Sequence, residues 1–326
     1  MKKIKLSNKS KLTCSNNPGF LSTYILIGVL SISALSCNRT ISKDTLQPLL
    51  EKAVKDFHGQ VGLYVYYPKT GLEAGMNIDS IFPTASMIKV PILCKLWDKI
   101  NAKQLSPDSL VHFIADSLHY LWKGEDALAR FKPGEDIFVR NLMTHMITFS
   151  DNHASLYLQE MAGTGTAINE FLDKQGFVNT RVNSRTPGRE AAREIYGWGQ
   201  TSPREMATLL MKIRNGEMVS PAASEAMYRH LTRQFWNGEG LSQIPPYIQV
   251  ACKTGAVDQS KSEVDFVNAP HGDYVYCIIT KNQKDTTWTR TNEGYVLIRK
   301  VSALLWNYFE PEYNWKPLAE GEKYLP

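Results

Sequence analysis

The sequence predicts an α+β protein: an antiparallel sheet built from both chain ends and packed with helices, plus an inserted all-helical domain. Three observations carry this. A two-stranded pattern with a tight turn stands early, at 62–78. Three further strand patterns stand late, at 247–280, ahead of a long amphipathic helix that closes the fold. The residues between them carry apolar side chains mostly at helical spacing. A catalytic domain of 47–310 follows, with its mixed part at about 47–90 and 215–310 and its helical part at about 91–214. Residues 311–326 are left as a C-terminal tail.

In order, 38–46 reads as a linker. Thr45 to Phe57 reads as a helix, with Leu46, Leu49, Leu50, Val54 and Phe57 on one face. Gly62 to Tyr67 is a strand, Pro68-Lys69-Thr70-Gly71 a turn and Leu72 to Ile78 a second strand. A helix begins near Ser86, because Pro83 and Thr84 suit a helix start and Pro91 is tolerated only in the first turn. Ser106 to Met161 is helical with breaks at Gly124 and Lys132-Pro133-Gly134. Within it, helices at Val139–Thr148 and His153–Met161 flank Ser150-Asp151-Asn152. Ala167 to Gln175 is a helix. Asn179 to Gln200 has no clean period, and an irregular segment of that length is usually functional or mobile. Ser202-Pro203-Arg204-Glu205 starts a helix that runs to about Arg214, and Pro221 to Phe235 is another. Strands follow at Tyr247–Thr254, Glu263–Val267 and Asp273–Thr280, then a helix from Asn292 to Tyr308. There are no internal repeats.

Of the 326 residues, 43% are hydrophobic and 21% charged, which supports a substantial core and excludes a disordered chain. The formal net charge of +5 is matched by five lysines at the extreme N-terminus: Lys2, Lys3, Lys5, Lys9 and Lys11. The body is therefore near neutral, and no nucleic-acid partner is expected. Residues 21–36 are mostly apolar and small, too short a run for a comfortable membrane span, and end at Cys37. Residues 1–37 thus resemble a bacterial lipoprotein signal with Cys37 as the lipidated first mature residue; ordinary cleavage and an uncleaved anchor are the alternatives. The protein is expected to be exported, periplasmic or anchored as a lipoprotein. Of the remaining cysteines, Cys94, Cys252 and Cys277 fall in apolar patterns without metal-ligand spacing, so neither metal nor cofactor is expected. Cys252 with Cys277 is the pair to examine for a disulfide.

The chemistry centres on Pro83-Thr-Ala-Ser86-Met-Ile-Lys89. On a helix, positions three apart share a face, so the Ser86 hydroxyl and the Lys89 amine can share a proton. The helix N-terminus favours negative charge developing at Ser86. A serine beside an amine there is a candidate nucleophile. By itself Ser-x-x-Lys also suits an ordinary solvated helix. Ser150-Asp151-Asn152 is by itself a helix cap, and Lys253-Thr254-Gly255 ends a strand able to bind an extended substrate. The second Lys-Thr-Gly copy, Lys69-Thr70-Gly71, reads as plain turn chemistry.

Order and context join the three. Ser150 follows Ser86 by 64 residues and Lys253 follows Ser150 by 103. The set resembles the class A serine β-lactamases and their penicillin-binding relatives, whose motifs are Ser-x-x-Lys, Ser-Asp-Asn and Lys-Thr-Gly. Lys132-Pro-Gly-Glu, Val139-Arg-Asn-Leu-Met and Thr201-Ser-Pro-Arg-Glu-Met-Ala look like further family segments, so the likeness covers about 50–310. It implies a three-layer αβα fold in which another strand separates those of Cys252 and Cys277. It also implies a monomer acting on a small-molecule substrate, a β-lactam or a cell-wall peptide ending in acyl-D-Ala. Ser86 would attack the carbonyl, with the N–H groups of Ser86 and Ala256 as oxyanion hole. Lys89, made less basic by burial beside Lys253, would take the proton or hold the network that contains the acceptor. Ser150 would protonate the leaving nitrogen, Asn152 would hold the side-chain amide, and Lys253, Thr254 and Gly255 would form the carboxylate end of the substrate strand. Lys261 or Arg233 would be the extra cation.

One departure stands out. The family carries a glutamate in an Arg-x-Glu-Pro-x-x-Asn loop, which activates the water that frees the enzyme. Here the stretch reads Asn183-Ser-Arg-Thr-Pro-Gly-Arg-Glu190, without that glutamate. Glu190 and Glu194 are the substitutes at hand, against the reading that both are solvated loop carboxylates. The implied activity is β-lactam hydrolysis. The alternatives are a D-Ala-D-Ala peptidase or transpeptidase, and an acylated binding or sensor protein with little turnover.

Overall fold

A computed structural model of the protein describes residues 41–114, 131–313, 315–319 and 321. The leader, Cys37, linker residues 38–40 and Gly124 lie outside the described residues; the rest of the predicted linker runs into α1, which starts at Lys43 rather than Thr45. The central sheet has strands β1 (Gln60–Tyr67), β2 (Leu72–Met76), β8 (Val250–Val257), β9 (Ser260–Val267) and β10 (Tyr274–Lys281) in the order β2-β1-β10-β9-β8. Every pair is antiparallel, and the β1–β10 pairing (Gln60 with Lys281, Tyr66 with Val275) joins the two chain ends as the sequence predicts.

Both faces of the sheet are covered. Tyr274, Tyr276 and Ile278 alternate with Val275, Cys277 and Ile279 along β10, and all six are buried. The first set packs with α1 (Lys43–Val54) and the closing helix α9 (Glu293–Phe309), through Leu46, Leu50, Leu297, Val301, Leu305 and Trp306. The second faces α7 (Pro203–Arg214), α8 (Pro221–Leu231) and the helical block. That block holds α2 (Lys89–Asn101), α3 (Val139–Thr148), α4 (Asn152–Met161), α5 (Thr164–Lys174) and the short α6 (Glu190–Tyr196). The α7 start is as read from the sequence: Ser202 caps it by accepting from Glu205 N, and Pro203 stands in the first turn.

Three local expectations differ. The segment read as helical from Ser106 holds a small strand pair, β4 (Leu110–His112) with β5 (Asp136–Phe138). The irregular 179–200 stretch holds α6 and two strands, β6 (Arg181–Val182) and β7 (Gly199–Thr201), with β7 paired between β6 and β3 (Phe82–Pro83). Strands of two or three residues show no period in sequence; tertiary pairing creates them. β8 and β9 also run longer at their shared turn, pairing out to Val257 with Ser260. Polar Ser260, Lys261 and Ser262 hid the start of β9, although all eight of its residues are buried. Cys94, Cys252 and Cys277 are free and buried, and Cys252 and Cys277 sit on opposite faces of the sheet with β9 between their strands.

Candidate active site

The chain enters the site through a short 3₁₀ turn at Ala85–Ile88 that runs directly into α2. Ala85 adopts a left-handed backbone (φ 42°), a costly conformation for a residue with a Cβ. Ser86 follows it and lines a cleft of about 490 Å³. Lys89, the first residue of α2, is fully buried, and its Nζ donates to Ser86 Oγ at 3.1 Å.

Ser150 arrives from the α3–α4 junction. Asp151 N donates to His145 O at 3.1 Å, and the Asp151 carboxylate caps α4 by accepting from Ala154 N at 2.8 Å. Capping by Asp151 and the left-handed turn at Ser150 (φ 58°) together present Ser150 and Asn152 to the lysine. Lys89 Nζ lies 3.1 Å from Ser150 Oγ and 2.8 Å from Asn152 Oδ1, and it also donates to Ser150 O. An ammonium has three protons, so four acceptors around one Nζ make a site where protons are shared.

The third part comes from β8, an edge strand. Lys253 is fully buried, and its Nζ lies 3.1 Å from Ser150 Oγ and 3.0 Å from Thr254 O. Ser150 therefore bridges two amines. Burial pulls the Lys253 ammonium down to about 8 from 10.5, against smaller opposing effects of Cys252 and Glu263. Gly255 lets β8 approach the Ser86 turn: a Cβ there would stand 2.5 Å from Thr84 O and 3.0 Å from Ser86 N. Ser262 Oγ, on β9, stands between the two, 3.0 Å from Gly255 O and 3.4 Å from Thr84 O. Ala256 then lines the cleft alongside Ser86.

The structure thus gathers Ser86, Lys89, Ser150, Asn152, Lys253, Thr254, Gly255 and Ala256. It does not bring Glu190 to them. Glu190 is the first residue of α6, exposed, and its Oε1 accepts from Gly188 N at 3.1 Å; Glu194 is exposed too. The loop before α6 is held by buried side chains instead. Gln159 Nε2 donates to Ser184 O at 2.6 Å, Ser184 Oγ donates to Gln159 Oε1 at 3.0 Å, and Arg189 donates to Asn183 Oδ1 at 2.8 Å. Asp258 is the one carboxylate among the described residues that line the cleft. Neither guess for an extra cation is placed at Lys253: Lys261 donates to Val257 O at 2.8 Å beneath Trp288, and Arg233 is exposed beside another cavity.

Among the described residues, one group brings metal-type donors together: Cys252, Glu263 and Asp265, buried, with donor atoms within 4.8 Å of one another. Its hydrogen bonds account for most of that grouping. Glu263 accepts from Gly240 N and Leu241 N, and Tyr276 OH donates to Asp265 Oδ2 at 2.6 Å. Burial raises both carboxyls, Asp265 to about 6. Sequence reasoning missed this group and also Trp288, which lines the cleft from the loop before α9. A tryptophan among Asp285-Thr-Thr-Trp-Thr was the available signal.

The model of the beta-lactamase enzyme family matches residues 43–309. Beta-lactamase VEB-1 of Pseudomonas aeruginosa is 20% identical over 298 residues, covering 87% of this chain and 97% of that protein. The solved structure of PBP-A aligns with a TM-score of 0.71 and 26% identity, over 82% of this chain and 96% of that one. A mutant of PBP-A, solved as an acyl-enzyme complex with penicillin G, aligns with the same score and identity over 97% of its length.

Proposed function

The chain belongs to the beta-lactamase enzyme family and is a serine hydrolase of β-lactamase type; we propose that it opens β-lactam rings through an acyl-enzyme on Ser86. The observation that carries this reading is the buried Lys89 Nζ, 3.1 Å from Ser86 Oγ and 3.1 Å from Ser150 Oγ. In its neutral form Lys89 accepts the Ser86 proton as Oγ adds to the lactam carbonyl. The oxyanion forms against the backbone N–H groups of Ser86 and Ala256. When the C–N bond breaks, Ser150 Oγ gives the nitrogen a proton and regains one from the lysine pair. Lys253 and Thr254 hold the substrate carboxylate, and Asn152 the side-chain amide.

A second reading is favoured by the loop: a penicillin-binding protein that is acylated and released slowly. Asp258, the one carboxylate among the described residues lining the cleft, already accepts from Trp288 Nε1 at 2.9 Å, and Glu190 is exposed. Lacking a general base typically costs about 10²- to 10⁴-fold in rate. The PBP-A mutant, solved as an acyl-enzyme complex with penicillin G, supports acylation as the shared step. The leader supports export with lipidation at Cys37, and mass analysis of the mature N-terminus tests it.

Intact-mass spectrometry after mixing with benzylpenicillin separates the readings. An adduct that forms and clears with product supports hydrolysis. One that forms and stays supports slow release. Ser86→Ala is expected to give no adduct; an adduct on that variant would remove Ser86 as nucleophile.

A further inference from the structure

The cleft that contains Ser86 has an apolar outer wall that the reaction chemistry does not use. Trp288, Ile195 and Val257 are exposed large hydrophobic residues, at 59%, 68% and 45%, and all three line this one cleft together with Tyr196. Scattered exposed hydrophobics are ordinary, but a group converging on one concavity beside a nucleophile marks a binding surface.

Trp288 is the fixed member of this group. Its Nε1 donates to Asp258 Oδ1 at 2.9 Å, which ties the indole to the β8–β9 turn. The Lys261 Nζ stands 4.0 Å from the ring centroid, and that ammonium is itself held by Val257 O at 2.8 Å. The supporting loop is organised by Asp285, whose carboxylate accepts from Thr287 N, Thr287 Oγ1 and Glu293 N at 2.7 to 3.0 Å. Asn292 closes the loop by donating to Asp285 O and Thr287 O. An exposed indole anchored on its edge and on one face has little freedom left to lose when a ligand stacks on it.

Building on the acyl-enzyme reading above, we propose that Trp288 is a specificity-determining residue, a rigid platform that selects substrates whose acyl side chain ends in a planar apolar group. Lys261 acts through Trp288 as a positioning residue. Val257, Ile195 and Tyr196 line the same cleft and complete the subsite.

The test compares acylation of the full-length protein by benzylpenicillin, which carries a phenyl group, with acylation by 6-aminopenicillanic acid, which has no acyl side chain. The wild-type ratio of second-order acylation rates is expected to fall about 3- to 10-fold in Trp288→Ala, the range of one aromatic contact. Trp288→Phe is expected to recover most of it. An unchanged ratio, or equal loss with both compounds, overturns the platform while leaving the acyl-enzyme reading intact. Wild-type protein acylated by neither compound overturns the acyl-enzyme reading and the platform with it.

Discussion

Two walls of the same cleft are built to different standards. On one, Ser86, Ser150 and Lys253 arrive from three distant segments and meet around buried amines at hydrogen-bonding distance. On the other, the 183–198 segment is equally well anchored, through Gln159, Asn183, Ser184 and Arg189, yet its carboxylates Glu190 and Glu194 point to solvent. The first wall is organised for forming a covalent bond. The second is organised for shape, ending in the apolar Ile195 and Tyr196. Acylation and deacylation therefore need not be equally developed in one active site, because they draw on different walls.

Lys89→Ala tests the first wall most severely. Acylation is expected to fall about 10²- to 10⁴-fold, as for a lost general base, with noncovalent binding much less affected. Equal losses in both, read by stopped-flow acylation and competitive binding, would make Lys89 structural. Gly255→Ala comes next. Its Cβ would stand 2.6 Å from Ser262 Oγ as well as 2.5 Å from Thr84 O, so β8 must shift. A displacement of that kind is expected to cost about 10²-fold in acylation and about 1–3 kcal/mol in stability, the latter measured by denaturant unfolding.

A smaller effect follows from Lys253. Burial lowers it to about 8, so its charge is present below that pH and is lost as pH rises through it. Half-saturation by a carboxylate-bearing lactam is expected to weaken above about pH 8, and Lys253→Arg to flatten that profile. A wild-type profile flat to pH 10 would mean that Lys253 does not hold the carboxylate. The stability contribution has the opposite trend: the buried charge opposes folding below about 8, and that opposition fades as pH rises toward 10.5. The smallest effect is expected on the second wall. Glu190→Gln and Glu194→Gln should leave turnover within about 2-fold, and a fall of about 10²-fold in either would make that glutamate the base that the loop otherwise lacks.

The motif residues were legible as a set, through the order and spacing of three motifs that are each ambiguous alone. Ser86 and Lys89 could be paired from spacing alone, since a helical turn puts i and i+3 on one face. Asp151 as a cap and Ser202-Pro203 as a helix start were also local facts. The small strands β3, β6 and β7, the depth of β9 and the outward placement of Glu190 were not legible. None of them leaves a period in the chain; each exists because a partner elsewhere in the fold pairs with it, covers it or leaves it exposed.

The sequence by itself determined the sheet from both chain ends and the helical insertion, because hydrophobic periodicity and capping are set by neighbours in the chain. Only the tertiary structure decided which groups surround Ser86. Lys253 reaches Ser150 across 103 residues, Trp288 reaches the cleft wall through Asp258 and Lys261, and Glu190 remains in solvent. Those distances follow from how β8, α6 and the loop before α9 pack, and long-range packing carries no local signature in the chain.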